Sequence, residues 1–165
     1  MKQEEERLPL FGVGPLYAGV VAGLTAAGVI CGEIPALSGG KLGALRIPAM
    51  ILGVLLIALG VFLWVQAVLV SRLDDEIKNG NLVTTGVYAW VRNPIYSAIL
   101  AVCTGVLLLA GNAFFFALVP GYWLFLTVLM KRTEEKWLRA RYGAAYEDYC
   151  RRVNRVVPWF PRRGG

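Results

Sequence analysis

Long runs of uncharged, mostly apolar residues constrain the fold of this chain more than any other feature. A helix needs roughly 20 apolar residues to cross the hydrocarbon core of a bilayer. Two runs have about that length, and a third, residues 93–130, is too long for one crossing. Gly111-Asn112 divides this third run into two helices joined by a tight turn. We therefore predict an all-α integral membrane fold with about four transmembrane helices, at residues 8–30, 47–70, 95–110 and 113–130.

The composition agrees with this fold class. Hydrophobic residues make up 57% of the 165 residues and charged residues 17%, and the mean hydropathy is +0.58. Soluble domains are about 45–50% apolar and about 25% charged. The segment before the first helix is acidic on balance, so we expect a retained span rather than a cleaved signal peptide. The helix at 95–110 is the shortest, and a re-entrant element is its alternative interpretation.

The distribution of Lys and Arg predicts the orientation. With four crossings, all but two of the 17 basic residues lie on one face, in the N-terminal segment, the middle loop 71–93 and the region from Lys131 onward. Lys41 and Arg46 lie on the other face. Cytoplasmic loops are rich in basic residues, so we expect both termini in the cytoplasm, with a C-terminal helical tail there. A basic tail beside a membrane fits anionic headgroups, and we predict no nucleic-acid partner.

The available side chains exclude several chemistries. The chain has no histidine, so histidine metal ligands and histidine bases are absent. Its three cysteines, Cys31, Cys103 and Cys150, are far apart and lack metal-binding spacing. We interpret the acids at 74–76 as part of a solvated loop, and we therefore predict no metal site.

Small residues on the first helix predict a close helix contact. Gly19 and Gly23 form a pair four residues apart, which lets two backbones approach each other in lipid. We interpret the pair as a contact within the molecule, and a homodimer through this face is the alternative.

The middle loop and the C-terminal tail emerge on the same side of the predicted bundle. We therefore expect them to build one site within a single domain, residues 1–165. Arg92 stands just before a helix that begins with proline, at the level of the headgroups. The fourth helix is expected to continue to Gly143 and to be followed by a short amphipathic helix. The continuation of the fourth helix carries two adjacent acids, Glu134 and Glu135. Carboxylates at a membrane boundary are functional candidates.

Three motifs in these segments resemble those of a known family. They are Thr85-Gly86-Val87-Tyr88 with Val91-Arg92-Asn93-Pro94-Ile95-Tyr96 in the loop, Glu134-Glu135 after the fourth helix, and Tyr142-Gly143-x-x-Tyr146-x-x-Tyr149 in the tail. The pattern and the intervening hairpin resemble the isoprenylcysteine carboxyl methyltransferase and phospholipid methyltransferase superfamily of integral membrane methyltransferases. The chain departs from the family pattern at Asn93, where the family has histidine.

The resemblance implies that S-adenosylmethionine binds between loop and tail, in the region 82–161. Glu134 or Glu135 would pair with its amino group and Arg92 with its carboxylate. Tyrosine faces such as those of Tyr88 and Tyr96 would flank its adenine or its sulfonium. We take Arg92 and Glu135 as the candidate catalytic residues. The expected cofactor-binding residues are Val83, Thr85, Gly86, Tyr88, Arg92, Asn93, Pro94, Tyr96, Glu134 and Glu135.

The resemblance also implies a lipidic or small apolar methyl acceptor, with a carboxylate, thiol or amine as the accepting group. A carboxylate needs no base, so the lack of histidine favours a carboxylate or an acidic thiol. Two other functions stay open. One is an NADPH-dependent membrane reductase, because such reductases share a similar C-terminal motif. The other is a non-catalytic homologue that binds a lipid or a partner protein, which the departure at Asn93 motivates.

Overall fold

The structure is a computed structural model, and it describes residues 12–70 and 81–160. Six α-helices account for most of these residues, and they contain no β-strand. The predicted all-α class is therefore confirmed. The expected helix start at residue 8 and the acids at 74–76 lie outside the described residues. The helices are α1 Gly14–Cys31, α2 Arg46–Val65, α3 Pro94–Ala110, α4 Leu118–Arg132, α5 Glu134–Tyr142 and α6 Ala144–Arg152.

Short segments of tighter or wider helix join these elements. Two 3-10 helices, Pro35–Gly40 and Gly43–Leu45, fill the loop between α1 and α2, and Gly86–Ala89 forms a third in the middle loop. A π-helical turn, Gln66–Val70, extends α2. The predicted helix at 113–130 is a 3-10 segment, Ala113–Ala117, followed by α4.

Three helical stretches within the described residues are long and apolar enough to cross a membrane. They are Gly14–Cys31, Gly43–Val70 and Ala113–Tyr142. α3 is also apolar, but its 17 residues span about 25 Å, less than a hydrocarbon core of about 30 Å. α2 exposes large apolar side chains, among them Leu55 and Phe62. Such a surface suits lipid rather than water, which indicates an integral membrane protein.

Glycines let α2 and α3 approach each other backbone to backbone. A methyl group on Gly53 would lie 2.8 Å from the carbonyl oxygen of Gly105, and one on Gly105 would lie 2.5 Å from that of Gly53. Further along α2, a methyl group on Gly60 would lie 2.8 Å from the carbonyl oxygen of Ala98. These distances leave no room for a side chain, so small residues line the contact between these two helices.

The predicted packing of Gly19 and Gly23 within the molecule is wrong. Both residues are exposed, and nothing lies within 4 Å of a methyl group placed on either. α1 instead buries the face that carries Tyr17, Val21 and Thr25, and this face packs against α3 and α4. Residues three or four apart share a helix face, and the two glycines lie on a different face of α1.

The tight turn predicted at Gly111-Asn112 is confirmed. Gly111 ends α3 in the left-handed conformation, with φ +71°, which glycine adopts without strain. The Asn112 side chain accepts a hydrogen bond from the Phe114 amide (3.1 Å) and donates one to the carbonyl of Leu37 (3.0 Å). The turn is therefore fixed to the loop between α1 and α2.

The fourth helix is interrupted before Gly143, contrary to expectation. The backbone leaves the helical region at Thr133, with φ −124° and ψ −93°, and this separates α4 from α5. The Thr133 hydroxyl donates to the carbonyl of Leu129 (2.7 Å), a local bond of the kind that competes with regular helix. Gly143, with φ +51°, then separates α5 from α6. The predicted break at Gly143 and the short helix after it are confirmed.

Candidate functional site

Main-chain hydrogen bonds join the middle loop to the C-terminal tail. The Arg92 amide donates to the carbonyl of Asn154 (2.9 Å), and the Trp159 amide donates to the carbonyl of Trp90 (3.0 Å). Val91 and Asn154 form an isolated parallel bridge. The loop that precedes α3 and the segment that follows α6 therefore run side by side.

Tyrosine side chains from the tail strengthen this contact. The Tyr149 hydroxyl donates to the carbonyl of Tyr88 (2.6 Å), and the Tyr142 hydroxyl donates to the carbonyl of Asn81 (3.2 Å). Both tyrosines belong to the tail motif, and both hold main-chain atoms of the loop. The loop and the tail thus lie together, as their shared side of the bundle predicted.

Three charged side chains meet where the loop and the tail join, and we call them the charged cluster. The Glu135 side chain is 2% exposed and accepts two hydrogen bonds from Arg155, from Nε to Oε1 (2.5 Å) and from Nη2 to Oε2 (3.1 Å). Nη1 of Arg92 lies 3.4 Å from the same Oε1. Two guanidinium groups share one carboxylate, so the charged cluster carries one excess positive charge.

Arg92 is the more deeply buried of the two arginines. Its side chain is 8% exposed, against 22% for Arg155. Its Nη1 also contacts the Tyr146 hydroxyl (3.5 Å) and the sulfur of Cys150. Its Nε is buried without a hydrogen-bond partner among the described residues. An unpaired buried donor is costly, so an anionic ligand that reaches this Nε gains a hydrogen bond.

Burial and hydrogen bonding determine the protonation states around the charged cluster. Burial raises the pKa of the Tyr146 and Tyr149 phenols, so both stay neutral at physiological pH. The hydrogen bond to Glu135 raises the pKa of Arg155. Arg155 therefore keeps its positive charge across the physiological pH range.

Glu134 faces away from the charged cluster. Its Oε1 accepts one hydrogen bond from the Val13 amide, at the start of α1 (2.9 Å), and one from the Tyr96 hydroxyl (2.5 Å). Gly12, with φ +49°, lies so close that a methyl group there would overlap this oxygen. Successive helix residues point about 100° apart, which explains why the adjacent acids have different partners.

Three other expected site residues lie beside the charged cluster. Asn93 donates a hydrogen bond from Nδ2 to the carbonyl of Arg155 (3.0 Å). Pro94 is buried at the first position of α3, where its missing amide proton costs nothing. Tyr88 is buried, and its carbonyl accepts the bond from Tyr149.

The remaining expected residues lie in the earlier part of the middle loop. Val83 packs against an apolar cluster that includes Leu63 of α2 and Ala67 of the π-helical turn. Thr85 and Gly86 are exposed. Gly86 begins the short 3-10 helix with φ +61°, a conformation that favours glycine. This part of the loop therefore lies at the surface of the protein.

Sequence reasoning missed Arg155, which makes two hydrogen bonds to Glu135. It is one of ten basic residues in the tail, and no motif distinguishes it from the others. From the sequence alone, Cys150 is an isolated cysteine with no assigned role. A usable signal was the spacing of Tyr146, Tyr149 and Cys150, which places all three on one face of α6.

Comparison with known proteins connects this geometry to a family. Residues 48–145 match the sequence profile of the family described as phospholipid methyltransferase. The protein-S-isoprenylcysteine O-methyltransferase of Schizosaccharomyces pombe (strain 972 / ATCC 24843) is 36% identical over 87 residues. The match covers 51% of this chain and 36% of the relative, so the chain spans about a third of that relative's length. No solved structure matches the chain.

The residues that match the family contain most of α2, the middle loop, α3, α4 and α5. They include Arg92 and Glu135, whereas α1 and Arg155 lie outside them. The resemblance inferred from the motifs is therefore confirmed, and the chain belongs to the phospholipid methyltransferase family of membrane methyltransferases.

Proposed function

We propose that this chain is an S-adenosylmethionine-dependent methyltransferase whose cofactor binds where the middle loop meets the C-terminal tail. The charged cluster is the observation that carries this proposal, because Arg92 of the loop and Glu135 of the tail lie 3.4 Å apart and are both nearly buried. The family to which the chain belongs transfers methyl groups. S-adenosylmethionine supplies, when bound, an electrophilic methyl group on a sulfonium.

The charged cluster fits the amino-acid end of this cofactor. The ammonium and the carboxylate there are attached to one carbon, so they need an anionic and a cationic partner close together. Glu135 offers the carboxylate, and Arg92 offers a guanidinium whose Nε has no partner in the part of the chain that is described. Charge-assisted hydrogen bonds contribute about 1.5–3 kcal/mol each. These two residues are our proposed direct contacts and catalytic residues.

The other expected residues have supporting places in this proposal. Glu134 and Tyr96 contact each other and the start of α1, so they hold α1 beside the site. The loop provides the surface for the rest of the cofactor. Thr85 and Gly86 are exposed and would contact the cofactor directly, whereas Val83, Tyr88 and Pro94 are partly or fully buried and would hold the loop in shape.

The acceptor that the site supports best is a carboxylate on a lipidic or small apolar molecule. The excess positive charge attracts an anion. A carboxylate oxygen forms a bond to the methyl carbon, as the carbon–sulfur bond breaks, without first losing a proton. No histidine is available as a base. The relative from Schizosaccharomyces pombe is named an O-methyltransferase, which agrees with oxygen as the accepting atom.

We also propose four membrane crossings, with the site and both termini on the cytoplasmic side. α3 supports this topology because its ends contact opposite ends of the bundle. Asn93 contacts the tail, and the carbonyl of Gly111 accepts a hydrogen bond from the Leu42 amide (3.1 Å), in the loop between α1 and α2. Among the described residues, the basic side chains other than those of Lys41 and Arg46 belong to the end with the tail. α5 and α6 then form the cytoplasmic tail of a single domain, residues 1–165.

Calorimetry on the protein in lipid nanodiscs tests the cofactor. We expect saturable binding of S-adenosylmethionine and of its demethylated product, S-adenosylhomocysteine. Glu135→Gln should weaken that binding roughly 10- to 150-fold, because one charge-assisted contact is lost. Asp148→Asn is the matched control, because it removes a tail carboxylate that is 63% exposed.

Two results would contradict the cofactor proposal. One is equal weakening by Glu135→Gln and Asp148→Asn. The other is a folded protein that binds neither adenosyl compound at millimolar concentration. Binding of NADPH in their place would identify a reductase, and binding of no nucleotide at all would identify a non-catalytic homologue.

A further inference from the structure

Asn93 does not use its side chain as a residue at the start of a helix usually does. It occupies the N-cap position of α3, where an asparagine side chain normally accepts a hydrogen bond from the first turn, but it forms no such bond. Its Nδ2 donates instead to the main-chain carbonyl of Arg155, 3.0 Å away. The Asn93 side chain is therefore hydrogen-bonded to the tail rather than to its own helix.

This bond fixes the main chain of Arg155 beside a second point of attachment. The amide of Arg92, one residue before Asn93, donates to the carbonyl of Asn154, one residue before Arg155. Two consecutive loop residues thus hold two consecutive tail residues. From this fixed point the Arg155 side chain reaches Glu135 with both Nε (2.5 Å) and Nη2 (3.1 Å).

The position of Arg155 explains why its main chain needs to be held. The residue lies beyond the end of α6, outside any helix. A long arginine side chain loses conformational entropy when it pairs, and a two-point contact with a carboxylate requires the correct angle as well as the correct distance. A fixed main chain leaves only side-chain torsions to be ordered. The contact then orients the Glu135 carboxylate so that Oε1 also faces Arg92.

We propose that Asn93 is a positioning residue. Through the main chain of Arg155 it sets the contact between Arg155 and Glu135, and thereby the orientation of the carboxylate that faces the cofactor; this last step rests on the proposed function. The role requires an N–H donor at this branch of the side chain and does not depend on a titrating group. The Nδ1 of a histidine stands at the same branch, so either residue type meets the requirement.

Three variants test this role in the full-length protein in nanodiscs. Asn93→Ala removes the donor without adding a charge, and Asn93→His restores a donor at the same branch. Asn154→Ala is the matched control, because that side chain is exposed and its main-chain carbonyl is kept. Calorimetry measures the affinity of each variant for S-adenosylhomocysteine.

We expect Asn93→Ala to weaken binding about tenfold or more. Asn93→His should restore most of that affinity, and Asn154→Ala should leave it unchanged. A loss for Asn93→His as large as that for Asn93→Ala would overturn the proposal, and so would an equal loss for Asn154→Ala.

A double-variant cycle separates positioning from direct contact with the cofactor. If Asn93 acts through Arg155, then Asn93→Ala has little further effect on affinity in an Arg155→Gln background. Fully additive losses would make Asn93 a direct ligand and would overturn the proposal. Thermal unfolding without cofactor compares the four proteins of the cycle, which are the unchanged protein, Asn93→Ala, Arg155→Gln and the double variant. We again expect non-additive shifts, here in the unfolding temperature. Additive shifts there overturn the link between Asn93 and Arg155.

The two readouts also separate this inference from the proposed function. Non-additive unfolding in a protein that binds no adenosyl compound would contradict the proposed function and support the positioning contact. Additive unfolding in a protein that binds S-adenosylhomocysteine would support the proposed function and overturn the positioning contact.

Discussion

Glu134 and Glu135 are neighbours in the chain, but their carboxylates contact different parts of the molecule. Glu134 accepts hydrogen bonds from the start of α1 and from Tyr96, whereas Glu135 lies between Arg92 and Arg155. One acid therefore holds a helix outside the residues that match the family, and the other acid belongs to the charged cluster. Substitutions at the two positions should have separable effects.

Replacing Gly12 by alanine is expected to weaken the attachment of α1. Gly12 has φ +49°, and a methyl group there would overlap the Glu134 carboxylate. We expect the free energy of unfolding to fall by about 1–3 kcal/mol. Gly43→Ala is the matched control, because Gly43 has φ +50° with open space around it. Denaturant unfolding in detergent micelles measures both variants.

The double variant Gly12→Ala/Glu134→Ala checks the cause of this loss. Without the Glu134 carboxylate, the methyl group added at Gly12 has nothing to overlap. The double variant should therefore lose less free energy of unfolding than the sum of the losses of the two single variants. If Gly12→Ala costs no more than Gly43→Ala, contact with Glu134 does not hold α1 in place.

Replacing Gly105 by alanine is expected to separate α2 from α3. The new methyl group would lie 2.5 Å from the carbonyl of Gly53, and overpacking of this kind costs about 1–3 kcal/mol. Gly19→Ala is the control on α1, where nothing lies within 4 Å, and alanine there should be neutral or stabilising by up to about 1 kcal/mol. Unfolding in micelles compares the two.

Equal losses for Gly105→Ala and Gly19→Ala would contradict the glycine contact between α2 and α3.

The exposed pair Gly19 and Gly23 allows a test of the alternative that the chain forms a homodimer through this face of α1. Gly19→Leu should leave the molecular mass in detergent unchanged if this face contacts only lipid, and a change from dimer to monomer would identify a dimer surface.

Alkylation of Cys150 is expected to abolish cofactor binding. Its sulfur contacts the guanidinium of Arg92, so an added maleimide group would displace that side chain from the charged cluster. Cys103 is buried and Cys31 is partly exposed. We expect Cys31→Ser to remain sensitive to N-ethylmaleimide and Cys150→Ser to bind S-adenosylhomocysteine and resist the reagent. Full alkylation of Cys150, seen by mass spectrometry, with unchanged affinity would contradict this account.

Labelling of single cysteines from each side of the membrane tests the topology. In a cysteine-free background, Gly39→Cys should react with an impermeant maleimide applied from outside intact cells. Ala145→Cys, on the exposed face of α6, should react only after permeabilisation. The reverse pattern would invert the orientation that the basic residues predict.

The sequence predicted those features that depend on local chemistry or on topology. Gly111 ends α3 where a left-handed residue is required. Arg92 and Glu135 were expected to meet because their segments leave the bundle on the same side, and their side chains lie 3.4 Å apart. Neither inference needed a detailed view of side-chain packing.

The features that sequence reasoning missed depend on three-dimensional packing. Glycines recur on both α1 and α2, and only the assembled bundle shows that Gly53 contacts α3 while Gly19 is exposed. No glycine or proline near Thr133 indicates that the helix is interrupted there. Arg155 lies in an irregular segment, and its contact with Glu135 depends on hydrogen bonds between distant parts of the chain.

Transfer of a labelled methyl group measures the proposed methyltransferase activity itself. Membranes that contain the protein are incubated with S-adenosylmethionine that carries a tritiated methyl group, and the lipid fraction is then extracted and treated with mild base. We expect label in that fraction, released by base as methanol because the product is a methyl ester. Glu135→Gln should reduce the label about tenfold or more, and Asp148→Asn should not. Label no higher than in membranes without the protein would contradict the proposed methyltransferase activity.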